Sequence, residues 1–324
     1  MRDSSYIIRH YSPDDFGKYM EFFNSMDMFL PDEWKSVTQL FQKKMDKPGY
    51  SPEQHLLLAE WKGKIIGCAD MSPEPKIGRV ILNGLISVRH RGRGLAGEMM
   101  ESILERAEKL GFKIAHVCVS EDNAAARGLL SKSSFSVVRH FHGLEIGLQG
   151  LPDDKFDLSS QEIISLKPGE EALLAKIQNR CFTGTWGFCP NTTEEIIYYL
   201  NLTESRLKDV IVAKGEKRIV GYCWMHLIGD RGQRDVQKKG RIHMLGVDPD
   251  YRRRGIGKNL LKVGLYHLKK RGVEMAELTA DKENADALAI YHSLGFRKKS
   301  TSLWYEKKGT SPTNKCCLAE KKIL

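Results

Sequence analysis

At 324 residues the chain is too long for one ordinary domain and suits two of roughly 150 residues each. With 41% apolar and 28% charged residues it has enough to build a core in each half, which excludes a disordered chain. No run approaches the roughly 18 apolar residues a membrane span needs, and a formal charge of +10 favours phosphate-bearing ligands, with nucleic acid or an anionic surface as other takers.

The first ten residues, MRDSSYIIRH, have no apolar leader core. Seven scattered cysteines without a C-x-x-C pattern argue against a zinc site or a disulfide framework and point to a reducing cytoplasm. A strand is expected over 6–9, then a Pro-containing turn and a helical region. Two alternating strands follow, joined by a turn at Lys62-Gly63, within HLLLAEWKGKIIGCADM. A strand over 80–88 runs into the turn Arg91-Gly92-Arg93-Gly94, which opens a helix with Leu95, Met99 and Ile103 at helical spacing. A strand over 114–119, a second helix and a last strand close the unit. The stretch LQGLPDDKFDLSS then has the composition of a linker.

The same order then repeats. DVIVAKGEKRIVGYCWM aligns with the first hairpin, Ala59 with Ala213 and Gly67 with Gly221, at a shift of 154 residues. Gly94 with Gly255, Asn123 with Asn284 and Phe135 with Phe296 each give a shift of 161. The second unit has strands over 162–166, 242–247 and 275–279, and a helix carrying Ile256, Leu260, Leu261 and Leu265. The chain is a duplication: residues 1–150, then 160–308, with a disordered tail over 309–324.

At the centre of each unit lies an Arg/Gly turn, Arg91-Gly92-Arg93-Gly94-Leu95-Ala96 and Arg252-Arg253-Arg254-Gly255-Ile256-Gly257-Lys258. Glycine lets backbone approach a ligand, and the helix it opens offers unpaired N–H groups and a dipole that favours anions. With arginines alongside, the turn reads as a pyrophosphate cradle. Gly92-x-Gly94-x-x-Gly97 spells a dinucleotide fingerprint, but Lys258 replaces the third glycine in the second copy. A phosphate-binding Walker loop fails too, because Asn259 follows Gly257-Lys258. The bland alternative is a Gly-rich turn with solvated arginines; two copies in register weaken it.

On these residues the chain resembles the GNAT superfamily of acetyl-CoA-dependent N-acyltransferases. The Arg-x-x-Gly-x-Gly/Ala turn after Val247-Asp248-Pro249 is similar to that family's pyrophosphate loop, and NADALAIYHSLGF (284–296) to its second acyl-CoA motif. The tandem layout is most similar to mycothiol synthase-like proteins. The resemblance implies an α/β fold of two fused GNAT domains, each a mixed, mostly antiparallel central sheet flanked by helices. It implies acetyl-CoA as co-substrate and no metal. The backbone of Leu245, Gly246 and Val247 would bind the pantetheine arm, amides from Arg253 to Lys258 the pyrophosphate, and Asn284 the pantetheine. Tyr291 falls where the family keeps a tyrosine that protonates the leaving thiolate.

The first half would keep a cradle from Ile86, Val88, Arg91, Gly92, Arg93, Gly94, Leu95, Ala96 and Asn123. It departs elsewhere: Leu130 stands in place of Tyr291, Ser134 of Gly295 and Val88 of Pro249. Leucine cannot donate a proton, so the first half is expected to be non-catalytic. The general base is left among His243, Glu277 and a water chain, with Arg241 where many relatives carry a carboxylate. The stretch NRCFTGTWGFCP offers Phe182, Trp186 and Phe188 as acceptor contacts, with core packing the alternative. That stretch departs from the mycothiol synthase pattern, which leaves the acceptor open.

The expectation is thus acetyl transfer to a primary amine, on a small molecule or a protein, in a cytoplasmic monomer or homodimer. The alternative is a non-catalytic acyl-CoA-binding sensor or scaffold, which would have no need of Tyr291. Nucleic-acid binding is disfavoured, because the arginines sit at helix-opening turns with no interleaved aromatic platform.

Overall fold

The computed structural model describes residues 6–26, 42–151, 162–202, 207–216, 218–228 and 238–309. The expected linker falls mostly outside these residues, as do the tail beyond Gly309 and with it Cys316 and Cys317.

The first half runs β1 (Tyr6–His10), α1 (Phe16–Asn24), β2 (Leu56–Trp61), β3 (Lys64–Glu74), β4 (Arg79–Ile86), α2 (Leu95–Lys109), β5 (Ile114–Ser120), α3 (Ala124–Lys132) and β6 (Ser136–Gly147). The second runs β7 (Glu162–Ser165), α4 (Glu171–Phe182), α5 (Thr193–Leu202), β8 (Val210–Lys214), β9 (Ile219–Ile228), β10 (Lys239–Val247), α6 (Ile256–Lys270), β11 (Met275–Asp281), α7 (Ala285–Ser293) and β12 (Arg297–Lys308). The β2–β3 hairpin is tight because Lys62 and Gly63 both take positive φ, 49° and 77°, which matches the twist of the strands. Helix α2 buries Leu95, Met99, Ile103 and Ala107, one residue per turn on a single face, and α6 buries Ile256, Leu260, Leu261, Leu265 and Leu268 likewise.

The two units form one twelve-stranded sheet, in the order β1-β2-β3-β4-β5-β12-β6-β11-β10-β9-β8-β7. The sequence pattern suggested that each unit closes with its own last strand. Instead β12 lies between β5 and β6, pairing Leu303 with Val119 and with His140, while β6 pairs with β11. Alternation of side chains says which face a residue takes, but not which neighbour the strand joins. The exchange carries core across: Leu303 and Tyr305 pack with Leu95, Met99 and Val117, whereas Leu144 and Ile146 pack with Ile256, Leu260 and Leu278.

Strand registers fix what lies on each face. Helices α2 and α6 pack on the back, against Val80, Leu82, Cys223 and Met225. Helices α1, α4 and α5 pack on the front, α1 over Leu56, Leu58 and Cys68, the others over Val210, Val212, Tyr222 and Trp224. Between the front helices the front of the central strands carries polar and aromatic side chains. Following the pairs across it gives His116 with Glu306, Cys118 with Trp304, Trp304 with Arg139, Phe141 with Asp281, Glu145 with Glu277, and Glu277 with Arg241.

Because β12 supplies core to the half that precedes it, the halves should unfold together. Leu303→Ala removes a side chain that is 4% exposed and should cost about 2–4 kcal/mol. Urea unfolding followed by tryptophan fluorescence and far-UV dichroism should show one coincident transition, displaced to lower urea; two separate transitions would contradict the shared core.

Candidate functional site

Near the middle of each half two parallel strands pair briefly and then part. β4 and β5 pair only at Arg79–Ile114, Val80–Ala115 and Ile81–His116. β10 and β11 pair only at Lys239–Met275, Gly240–Ala276 and Arg241–Glu277. Beyond these pairs, the edge of β10 that faces β11 has backbone N–H and C=O groups which β11 does not take, since β11 continues against β6 instead. Such a wedge can receive an extended ligand as a further strand would be received.

The wedges differ by one residue. Counted from the first paired position, β4 has eight residues and β10 nine. The pairing of β3 with β4 is unbroken, whereas that of β10 with β9 slips between Ile242 and Met244. His243 is the additional residue, a β-bulge of the kind that re-aims side chains beside a site. Its ring meets Trp224 edge-on at 5.2 Å and lies 5.7 Å from His226 on the front face. His243 keeps exposed surface, yet protein crowds it, and this crowding with nearby Arg241 pushes its pKa down to about 4. Burial, then His243 and Arg241, push His226 to about 3, and its buried Nδ1 has no partner among the described residues. Both rings are therefore neutral at pH 7. Glu277 accepts from Arg241 Nε at 3.0 Å, so the carboxylate is already engaged by a cation.

At the open end of each wedge stands the Arg/Gly turn. Gly94 (φ 89°) and Gly255 (φ 78°) are the residues preceding α2 and α6, and no side chain caps either helix. A Cβ at Gly255 would meet nothing within 4 Å. An uncapped amino terminus beside open space is a fit for an anion such as a pyrophosphate. Gly92 (φ 75°) has Arg253 as its counterpart, which keeps the left-handed conformation at φ 64°. Ile256 and Leu95 are buried, so only their amides can face a ligand.

The arginines divide their work. Arg91 Nε donates to Ile86 O at 2.9 Å and Arg252 Nε to Val247 O at 3.2 Å, each folding back on its strand end. Arg252 also donates from Nη2 to Cys181 O (2.8 Å). Arg253 is exposed and pairs with Asp286; Arg254 lies over Tyr251, 5.1 Å from the ring centroid. Leu245, Gly246 and Val247 end β10, where a side chain at Gly246 would collide with Tyr222 and Cys181. Val88 lies in a short turn after β4, 44% exposed. Asn123 and Asn284 cap their helices, accepting from Ala126 N (3.0 Å) and Ala287 N (3.1 Å). That engages Oδ1 and leaves the amide nitrogen for a ligand. Tyr291 is buried against Phe296 at 5.8 Å, and burial raises its pKa well above that of a free phenol. Leu130, its counterpart, is buried in the first half's core.

Phe182 and Phe188 pack on each other at 5.8 Å, while Trp186 reaches the first half, where it stacks on His116. Three functional-looking groups escaped the sequence reading. Asp248 is fully buried between Arg180 (2.7 Å) and Arg218 (3.6 Å) and accepts from Asp250 N, bracing the turn; the Asp-Pro-Asp stretch was the available signal. His226 alternates with Tyr222 and Trp224 along β9, a period-two pattern that could have been read. Arg79 donates to Gly187 O, 108 residues away, and nothing local announces it.

Among the described residues no cluster of three His, Cys, Asp or Glu could hold a metal, and no helix is long and apolar enough to cross a membrane. Residues 20–135 and 172–296 match the family described as the acetyltransferase (GNAT) family. A mycothiol acetyltransferase of Saccharomonospora viridis is 27% identical over 275 residues, covering 80% of this chain and 86% of that protein. A GCN5-related N-acetyltransferase from Sphaerobacter thermophilus superposes with a TM-score of 0.69 at 19% identity, covering 95% of this chain and 97% of that one. A tandem GNAT protein from the clavulanic acid biosynthesis pathway gives 0.70 at 12% identity, covering 94% and 99%. At such identities the two structures testify to the fold alone.

The brace under the turn should be pH-dependent. Burial works to raise the pKa of Asp248, but the Arg180 hydrogen bond, the Asp250 amide and Arg218 outweigh it and lower the pKa. A lowered carboxylate pKa stabilises the fold above the unfolded value of about 3.9 and stops doing so as pH falls through the folded one. Asp248→Asn should therefore lower the urea midpoint at pH 7, and the gap from the parent should narrow below about pH 4. An equal gap at both pH values would mean that charge is not what Asp248 contributes.

Proposed function

This chain belongs to the acetyltransferase (GNAT) family, and we propose that its second half moves an acetyl group from acetyl-CoA to a primary amine. The observation that carries the reading is that His243 on its bulge and Tyr291 behind it occur together in the second half, whereas the first half has an unbroken β4 and Leu130. Residues 1–150 act as a non-catalytic partner domain and residues 160–308 as the catalytic one.

The co-substrate's pyrophosphate sits on the amides from Arg253 to Lys258, and its pantetheine arm lies along the open edge of β10 at Leu245 to Val247, with Asn284 donating from its side-chain amide. The thioester then meets the front of the sheet at the bulge. The amine enters over the front of the central strands. Its nitrogen forms a bond to the acetyl carbon, the carbon–sulfur bond breaks, and the nitrogen loses a proton. Neutral His243 receives that proton, directly or through water, since its pKa near 4 keeps a lone pair available at neutral pH. Tyr291, held protonated by burial, gives a proton to the departing thiolate. In this reading Glu277, whose Oε1 accepts from Arg241 Nε, orients that guanidinium, and His243 is the first candidate for the base. The mycothiol acetyltransferases among the relatives favour a small-molecule amine over a protein one.

Calorimetry with acetyl-CoA tests the first step. Gly255→Glu places a carboxylate in the cradle and should abolish one binding event, while Gly255→Asn, which tolerates positive φ, separates the charge from backbone strain. A chain that binds no acyl-CoA would end the acyltransferase reading. The second step is tested by an amine screen that monitors CoA release. Tyr291→Phe should cut kcat about 100-fold or more and leave acetyl-CoA affinity unchanged.

His243 gives a pH signature. With a pKa near 4 it is neutral from about pH 5 to 8, so kcat/KM corrected for free amine should be flat there. It should fall as pH drops through 4, when the ring protonates. His243→Ala should be slower at every pH and lack that limb; an unchanged rate would pass the role to water.

A further inference from the structure

The loop after α4 leaves the second half and is fastened in the first. Asn179 Nδ2 donates to Asn191 O (2.9 Å) and Asn191 N donates to Asn179 Oδ1 (2.8 Å), clasping the loop at its base. Near the base Cys181 abuts β10: a Cβ built on Gly246 would lie 3.0 Å from Cys181 Cβ. At the tip Trp186 stacks on His116 of β5, 5.2 Å between centroids at 24°, and meets Trp304 of β12 edge-on at 5.7 Å. The Arg139 guanidinium of β6 lies 5.8 Å from the Trp186 centroid. The loop therefore starts from the end of α4 beside β10 and reaches β5 at its tip, and β11, β6 and β12 lie between those two strands in the sheet.

The first half builds a dedicated socket for it. Arg79, 5% exposed, donates from Nη2 to Gly187 O at 2.5 Å. Its guanidinium is held by Glu74 and sits 3.4 Å from His116 Nδ1. His116 Nε2 is 2.9 Å from Glu306 Oε2, so the ring is fixed in plane under the tryptophan, with Nε2 donating and Nδ1 accepting. Lys76 Nζ donates to Pro190 O (2.8 Å) and pairs with Glu195 (2.7 Å), which steadies the start of α5. In the register of the sheet, His116 occupies the place that Glu277 occupies in the second half. The first half thus uses the front of its own wedge to hold a loop of its neighbour.

We propose that this is what the first half contributes to the reaction: Arg79 and His116 are positioning residues that anchor Trp186 and so hold the 183–190 loop as a wall of the second half's acceptor floor. Trp186 is then an anchor, and Phe182 at the end of α4 and Phe188 in the loop are the aromatics left for the acceptor. The proposal rests on the second half being the acyltransferase, but the anchoring can be measured without turnover.

The variants are Arg79→Met and Trp186→Ala, with Trp186→Phe as the conservative replacement and far-UV dichroism as the check on folding. Amide hydrogen exchange over 183–191 should quicken about tenfold or more in the first two and largely recover in Trp186→Phe. Acetyl-CoA affinity by calorimetry should stay within about twofold of the parent, because the cradle lies elsewhere. For whichever primary amine turns over fastest in the screen, at saturating acetyl-CoA, the amine's KM should rise about tenfold while kcat changes less than about threefold. If Arg79→Met fails to fold, the two Trp186 variants carry the comparison. Unchanged exchange in Trp186→Ala overturns the anchoring, and faster exchange with an unchanged KM overturns the positioning role. If no amine turns over, the acyltransferase reading fails separately, and the exchange result still decides whether the first half holds the loop.

Discussion

The insertion of β12 between β5 and β6 is the constraint from which the rest of the molecule follows. A strand added at a sheet edge satisfies a row of backbone donors and acceptors, and two tandem units could each have done this alone. Exchanging their last strands instead joins both sheets into one and removes two edges from solvent. It also fixes the register across the seam, so that the front of β5 and the front of β11 belong to one continuous surface. The continuous front surface, the Trp186 socket and the shared core all exist because of that register.

Within this shared frame the two copies have diverged in ways that separate scaffold from chemistry. Both keep the left-handed glycine before the helix, the arginine that folds back onto the strand end, and the asparagine that caps the second helix. Each of these solves a local backbone problem, and each recurs whether or not the unit reacts. The bulge at His243 and the phenol of Tyr291 solve no such problem. A bulge interrupts a ladder, and a buried hydroxyl must lose its water. Their presence in one copy, against an unbroken strand and a leucine in the other, is the difference on which the proposed division of labour rests.

Much of this was legible from the residues. The repeat gave the order of elements in both units and the place of the hairpin, the strand before the Arg/Gly turn and the strand after its helix, and the turn was expected at the amino terminus of a helix, as found. One further count was available: the shift between copies is 160 residues at Arg79 and Lys239 but 161 at Gly94 and Gly255, so one residue has been gained within β10. What remained hidden was long-range. Strand exchange leaves no trace in alternation, because β12 has the same inward and outward residues whichever neighbour it joins. Arg79 reads as one more charge at a strand start, since the carbonyl it binds lies 108 residues away. Trp186 could be read as core or as contact, and only the other half's surface decides between them.

The placement of Trp186 bears on why a unit with a leucine at the position of Tyr291 should have been retained at all. A half needed only as sheet edge could have lost its buried polar groups, because burying Arg79 and His116 costs free energy unless both are satisfied, here by the half-buried Glu74 and Glu306. They are satisfied, and the network's outward-facing products are one flat ring and one aimed guanidinium nitrogen, both directed at the neighbouring loop. A hydrophobic patch would have held a tryptophan with less specificity of angle. A planar stack combined with a hydrogen bond to the next residue's carbonyl fixes both the tilt and the depth of the tip. That degree of definition is what the proposed wall would need in order to hold an acceptor in one orientation.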